Sequence, residues 1–430
     1  MERYAQMKNS GVGWIQDIPT GWGVRVLFQL ADQVKNKNKD LVEKNLLSLS
    51  YGKIKRKDIN NPEGLLPESF DGYNIIEAND IVLRLTDLQN DHTSLRVGQA
   101  KERGIITSAY TTIRPSAFVN PQYLYYVLHA YDLIKGFYGM GAGVRQGLNY
   151  DEVKAIKVPF PSVEEQRRIV AYLDDQVSQI DSIIEEEKAS IEEYKQWKAS
   201  TIFEAVTKGL RLDVAMKNTG LPFMPLIPKH WGRSKVGRFS LFFNGDRTSR
   251  YPKPEEFVDE GIDFLNSSNI NGDIVDTSSC KYISAEKYDS LSGAKIEVGD
   301  IVYCLRGSIG KCALNTHLVE GTVASSLATI RPMGINGKYL LYCLLSKVAQ
   351  EQVQIYMNGT CAANLSAESV SSFNIPFPPF EEQDTIGQYC FEKSSYFNNL
   401  IEEKQRLIDD LEQYKRSLIY EAVTGKRKVM

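Results

Sequence analysis

Across 430 residues the sequence has only four histidines and six cysteines, and neither set is arranged for chemistry. Cys280, Cys304, Cys312, Cys343, Cys361 and Cys390 all fall in the second half, with no Cys-x-x-Cys pair among them. Those spacings support neither a disulfide framework nor a zinc site, and they read as reduced core thiols. His92, His129, His230 and His317 carry no attached nucleophile or carboxylate motif, so no catalytic constellation forms around them. A run of about 18 apolar residues, the minimum for a membrane span, is also missing. The opening MERYAQMKNSGVGW lacks the apolar core of a secretory signal, so the expectation is a cytoplasmic protein with no membrane association. Charge of one sign is not in excess: 51 basic and 54 acidic residues give a net charge of −3, which on its face argues against a nucleic-acid binder.

What is present is repetition. MKNSG at Met7–Gly11 returns as MKNTG at Met216–Gly220, 209 residues later, and at that offset Ile18-Pro19 and Trp22-Gly23 return as Ile227-Pro228 and Trp231-Gly232. Further along, TTIRP ending at Pro115 matches ATIRP ending at Pro332, and YLYYVL from Tyr123 matches YLLYCL from Tyr339. KVPFPSVEEQ ending at Gln166 then matches NIPFPPFEEQ ending at Gln383, and an unbroken offset of 217 runs on to EAVT at Glu204 and Glu421. So many matches in one order mean duplication, and a unit of half the chain is far longer than a solenoid repeat.

Each copy has one plan. Short β-branched runs such as LLSLSYGKI and ANDIVLRL, bounded by Gly, Asn, Asp and Pro, predict strands of a mixed sheet. YLYYVLHAYDLIKGFY predicts one amphipathic helix, and a Gly-rich loop follows over Gly136–Gly147. After a Pro-Phe-Pro stop comes a long charged helix, opened in the first copy by Ser162 with Glu165 as a capping box. Leu173, Val177, Ile180, Ile184 and Ile191 take steps of four and three with one break at Glu187, as do Phe397, Leu400, Leu407 and Leu411 in the second helix with a break at Lys404. That spacing predicts a heptad seam, and Gly209 and Gly425 supply the stops. Some 44 residues at roughly 1.5 Å each make a rod of about 65 Å, and two such seams most simply pair with each other. The expected division is 1–160 and 211–378 for the modules, with 161–210 and 379–430 for the helices.

The charge is unevenly shared. Residues 161–208 hold 11 acidic and 6 basic residues, and residues 379–430 hold 10 and 8, which leaves 37 basic against 33 acidic for the rest. The acidity belongs to the rods. The globular modules are mildly basic, with local clusters beside glycine-rich and polar turns that suit phosphate contact and base-edge readout. Candidate DNA contacts are Lys53, Lys55, Arg56, Arg84, Arg96 and Arg145 in the first module. In the second they are Arg247, Asn266, Ser267, Asn269, Arg306 and Lys311, although Asn266–Asn269 reads equally as an Asx-type turn. Arg114 and Arg331 recur before proline in both copies, which suggests a structural or phosphate role rather than sequence choice.

Two divergent modules, each opened by IP-x-x-W-G and closed by PFP-x-x-EEQ, a long helix and EAVT, resemble the specificity subunit of type I restriction-modification systems. The resemblance spans the whole chain. It implies an α+β fold of two tandem target recognition domains joined by two long helices packed as an antiparallel coiled coil. Each domain would read one half of an asymmetric bipartite site in double-stranded DNA. The helices would set the spacer and dock two methyltransferase subunits, with Glu164, Glu165, Gln166, Glu381, Glu382 and Gln383 as helix-entry and docking candidates. It further implies that this chain binds no cofactor and has no catalytic residues. S-adenosylmethionine, ATP and Mg2+ would be used by partner methyltransferase and motor-nuclease subunits.

The enzyme alternatives lack their motifs. Asn61-Pro62 and Asn120-Pro121 do not continue into the Asn-Pro-Pro-Tyr of an adenine methyltransferase. Gly139, Gly141 and Gly143 follow a helix instead of opening one after a strand, and Gly307–Lys311 lacks P-loop spacing. Glu186–Lys188 resembles a nuclease fragment but lies on the charged helix without a partner aspartate. A coiled-coil scaffold that binds only protein explains the rods but leaves two variable, mildly basic modules without a purpose.

Overall fold

The structure, a computed structural model, describes residues 3–60, 69–91, 93–140, 147–358 and 364–429. The candidate Arg145, together with His92 and Cys361, lies outside them. The chain forms two compact units. The first comprises residues 1–187 with 406–430, and the second residues 188–405. Each unit therefore contains one recognition module and half of each long helix.

Alternation of apolar residues builds the sheets. In the first unit Leu46–Ser50 sits between Lys53–Lys57 and Gly104–Ile106, with Asn74–Ile76 beyond. The Leu46–Ile105 pairing is parallel and the others antiparallel, so this sheet is mixed. A second sheet, antiparallel throughout, runs in the order Ala31–Gln33, Thr111–Pro115, Ile81–Leu83 and Val97–Gln99. Leu47, Leu49, Ile76, Val82 and Ile106 form one buried cluster that removes apolar surface from water. The second unit repeats the plan. One sheet again has a parallel pair, Ile262–Leu265 with Gly321–Val323, and the other, from Ser240–Asn244 to Cys312–Leu314, is antiparallel.

The helix Pro121–Leu133 starts because Asn120 accepts hydrogen bonds from the backbone N–H groups of Gln122 and Tyr123, with proline at the first helical position. It is shorter than the sequence suggests. Lys135 takes a left-handed φ of 61°, and a separate 3-10 turn follows at Gly136–Gly139. Gly136 is required there, since a Cβ would fall 2.4 Å from the Tyr131 ring. Asn336 opens the equivalent helix Gly337–Leu345 in the same way.

The central helix runs over Val163–Lys208 and the terminal helix over Phe380–Val423. Ser162 Oγ caps the central helix by accepting from the Glu165 N–H, but the Glu165 carboxylate accepts from Tyr4 Oη at 2.6 Å, so the capping box is only half made. Within the first unit the two helices pack antiparallel: Lys415 Nζ donates to Asp181 at 2.6 Å, and Arg427 donates to Tyr172 Oη at 3.1 Å. In the second, Lys198 Nζ donates to Asn398 at 2.9 Å, the same rung displaced by 217 residues.

The heptad reading is corrected at the terminal helix. Leu407 is 40% exposed and Ile408, one residue on, is buried in its place. The stripe advances by eleven: Ile386, Phe397, Ile408 and Ile419 match Ile169, Ile180, Ile191 and Ile202, and all but the half-buried Phe397 are buried. Eleven residues make three turns at 3.67 each, so the stripe stays on one face without the left-handed winding a strict seven requires. Leu173, Ile180, Ile184 and Ile191 are buried and Val177, Leu400 and Leu411 half-buried, since on the central helix the two periods share most positions.

Each unit closes on a helix end in the same way. In the second, Tyr339 Oη donates to the Pro376 carbonyl at 2.9 Å and lies 3.3 Å from that of Val206, near the end of the central helix. In the first, Tyr123 Oη meets Pro159 and Val423 at 3.0 and 3.4 Å. The central helix continues directly into the hairpin Met216–Leu221/Met224–Pro228, whereas the terminal helix docks on the N-terminal hairpin Met7–Asn9/Asp17–Pro19 without a covalent link. There Tyr420 Oη donates to the Trp14 carbonyl at 2.7 Å and Lys426 Nζ to that of Ile15 at 2.6 Å.

Candidate nucleic-acid interface

In the first unit the basic candidates rise from one hairpin. Tyr51 and Gly52 have φ of 48° and 76°, the left-handed pair of a tight hairpin turn. Alternation then sends Ile54 toward the core and leaves Lys53 and Lys55 exposed on the other face. Tyr51, at the tip, is 75% exposed. An exposed aromatic beside lysines is a further candidate contact, and the Tyr-Gly turn between an apolar and a basic strand was its signal in the sequence. Arg56 is exposed but grips Glu102 with two donors, which raises the arginine further and holds the glutamate below its usual range.

Arg96 does not belong to a surface. It is fully buried, its terminal nitrogens donate to the backbone carbonyls of Arg84, Thr86, Asp87 and Asp91, and its Nε donates to Tyr138 Oη at 2.8 Å. A buried arginine stripped of water needs those acceptors, which leaves none of its donors for a phosphate. Arg84 is partly exposed, 3.7 Å from the Asp91 carboxylate. Arg114 is also structural: Nε and a terminal nitrogen reach Asp80, each at 2.7 Å, and Arg331 repeats the clamp on Asp300 at 2.8 and 2.9 Å.

The second unit gathers its candidates on adjoining loops. Asn266 accepts from the Ser268 N–H at 2.7 Å, and Asn269, fully buried, accepts from the Asn266 N–H and donates to the Asp276 carbonyl. The Asx-turn reading is the correct one for these residues. Asn269 shapes the loop and faces no ligand, while Asn266 and Ser267 stay half-buried. Lys311 reaches Asn271 of that loop at 3.4 Å, and Asn271 in turn donates to the Ser268 carbonyl. Arg306 is exposed on the same turn as Lys311, which uses left-handed Gly307 and Gly310. Arg247, also exposed, lies 3.3 Å from the Ser325 carbonyl. Beside it the buried Asp246 is pushed up by burial but pulled well below the carboxylate range by donors from Thr248 and Ser292.

Of the helix-entry candidates, the glutamines are clasps. Gln166 is fully buried, accepting from the Asn120 N–H and donating to the Pro161 carbonyl. Gln383 does the same with Asn336 and Pro378, so neither is available to dock a partner. Glu382 accepts from Trp231 Nε1 at 2.9 Å and His230 Nε2 at 2.8 Å. Glu164 and Glu381 remain exposed.

Two modules of one plan, joined by long helices and differing in their polar loops, define a duplicated two-module class of protein. The family profile described as the type I restriction modification DNA specificity domain matches twice, at residues 21–193 and 231–413. The chain belongs to that family. It is similar to the type I restriction enzyme MjaVIII specificity subunit of Methanocaldococcus jannaschii, at 23% identity over 83% of this chain and 80% of that one. Another type I restriction enzyme specificity subunit of the same organism aligns at 22% identity over 96% of both chains. A solved chain from work on complex assembly and conformational transition of the type I R-M system shares the fold, with a TM-score of 0.68 and 15% identity over 95% of this chain and 99% of that one. Among the described residues no helix is long and apolar enough to cross a membrane.

Proposed function

We propose that this chain is the recognition subunit of a type I restriction-modification complex and that each unit reads one half of an asymmetric bipartite DNA site. The observation that carries the reading is duplication with selective divergence. The clasp glutamines, the arginine clamps and the tyrosine closures recur residue by residue, while the polar loops of the two modules do not. Identical readers would select a palindrome, so unlike readers select two different half-sites. The long helices, each with residues in both units, would set the spacing between half-sites, which for reading one face of DNA is about 34 Å per turn. Each bidentate base contact would discriminate by about 1–3 kcal/mol. Methyl transfer and ATP-driven cleavage, with S-adenosylmethionine, ATP and Mg2+, fall to partner methyltransferase and motor-nuclease subunits that dock on the helices.

Exchanging residues 211–378 for the matching module of another family member tests this directly. Methylome sequencing of cells that also express the methyltransferase should show one half of the motif changed and the other retained. Alteration of both halves would contradict independent readers. Absence of sequence-dependent DNA retention by the chain with its methyltransferase would favour a protein-only scaffold.

A further inference from the structure

The two units differ at one matched place beside the helix pair. In the second, the loop bearing Asp273 folds down onto the helices: Asp273 accepts from Tyr342 Oη at 2.7 Å and lies 3.6 Å from Lys198 Nζ. An added Cβ on the neighbouring Gly272 would lie 4.0 Å from the Asn398 amide. The matching residues in the first unit are Tyr126, Lys415 and Asp181. All three line an open groove of about 820 Å³, bounded by the Lys53–Lys57 strand on one side, the helix Pro121–Leu133 as floor, and the helix pair on the other. Among the described residues no loop carboxylate lines it. Tyr126 and Lys415 are instead satisfied by Asp174 and Asp181 of the central helix, at 2.7 and 2.6 Å.

The side of the groove away from the helix pair presents donors without acceptors. Among the described residues Lys53, Lys55 and Lys101 along its outer wall have no carboxylate partner, and Gln99 Nε2 is buried without an acceptor. His129 is 9% exposed, its Nδ1 has no partner, and it stands where the second unit has Leu345. Burial, with Lys415 nearby, pushes this imidazole down to about 4, so at neutral pH it is an uncharged ring able to donate or accept one hydrogen bond. A buried polar group in place of a leucine is costly unless something completes it.

We propose that this groove receives an extended acidic segment of a partner polypeptide, whose carboxylates lie against Lys53, Lys55 and Lys101 as Asp273 lies against Lys198 in the other unit. A duplex does not enter a cleft of about 820 Å³, and the carboxylates Asp174 and Asp181 of the helix wall are already engaged by Tyr126 and Lys415. The Lys53–Lys57 strand is the outer strand of its sheet, so it can also pair with an incoming extended backbone. The proposal does not depend on DNA recognition.

Fluorescence anisotropy of the full chain with a fluorescein-labelled decapeptide of alternating glutamate and valine tests it. The peptide should bind, weaken at least tenfold in K53Q/K55Q and about threefold in H129L, and bind D273N as it binds the parent chain. H129L installs the residue the repeat already tolerates, so it serves as the folded control. No binding to the parent chain, or equal affinity for K53Q/K55Q, overturns the proposal. Equal displacement by inorganic phosphate or by duplex DNA overturns it in favour of a general anionic surface.

Discussion

His129 and Leu345 sit at matching places on matching helices, and the difference has a pH signature. The histidine ring is held down to about 4 by burial against an ordinary value of 6.5, so the unfolded chain takes up a proton that the folded chain refuses. Its contribution is complete above about pH 6.5 and is lost as pH falls toward 4, by up to about 3 kcal/mol. Asp132, raised by burial to about 6, acts oppositely over much of this window, because its folded form holds a proton that the unfolded one has released. Comparing the parent chain with H129L by thermal melting between pH 7 and 4 isolates the histidine, since Asp132 is common to both. The parent should lose stability relative to the variant on acidification, and parallel profiles would show that the ring titrates normally. At this scale the sequence was a poor guide. Arg96 and Lys55 look alike in a list of cations, and only the wrapping of the preceding loop, Arg84 to Asp91, sends one guanidinium to four carbonyls and leaves the other side chain in water. Gln166 looked like surface because the Asn120 N–H that it caps lies 46 residues away.

The elements were far more legible. Duplicated proline stops, glycine ends and apolar stripes placed both long helices closely, because capping and amphipathicity are local. The period was misread since sevens and elevens share their first steps, and the central helix satisfies both. They part at Leu407 and Ile408, 40% and 3% exposed. Ile408→Ala should therefore cost about 2–4 kcal/mol by leaving a cavity, whereas Leu407→Ala should stay within about 0.5 kcal/mol. Chemical denaturation of the two variants distinguishes the periods, and the reverse ranking would restore the heptad. The strands were legible as hairpins, but not which strands sit at a sheet's edge, because that order is set by pairings such as Leu46 with Ile105 that no local pattern encodes.

For the whole molecule, duplication visible in the sequence already gave the architecture, but not how its halves are closed. Trp22 and Trp231 read only as entry markers. In the structure Trp231 backs Gly209 at the end of the central helix, and Trp22 backs Gly425 at the end of the terminal one. Both glycines are left-handed, with φ of 77° and 71°, and a Cβ on Gly425 would come within 2.3 Å of Pro19. The Trp22–Gly425 contact joins opposite ends of the chain, which is why no window of sequence announces it.

The uncovalent seating of the terminal helix on the N-terminal hairpin says something about what the peptide link at the other junction supplies. Both junctions are held by the same tyrosine and glycine contacts, and only one also has a chain running through it. In terms of effective concentration, that link adds proximity already provided elsewhere, because each unit contains segments from both sides of residue 212. Leu212 is 99% exposed. A protease site placed there should yield two fragments that co-elute on gel filtration at micromolar concentration and melt as one species. Separation on dilution would show that the unbroken backbone, rather than the packing, holds the second junction shut.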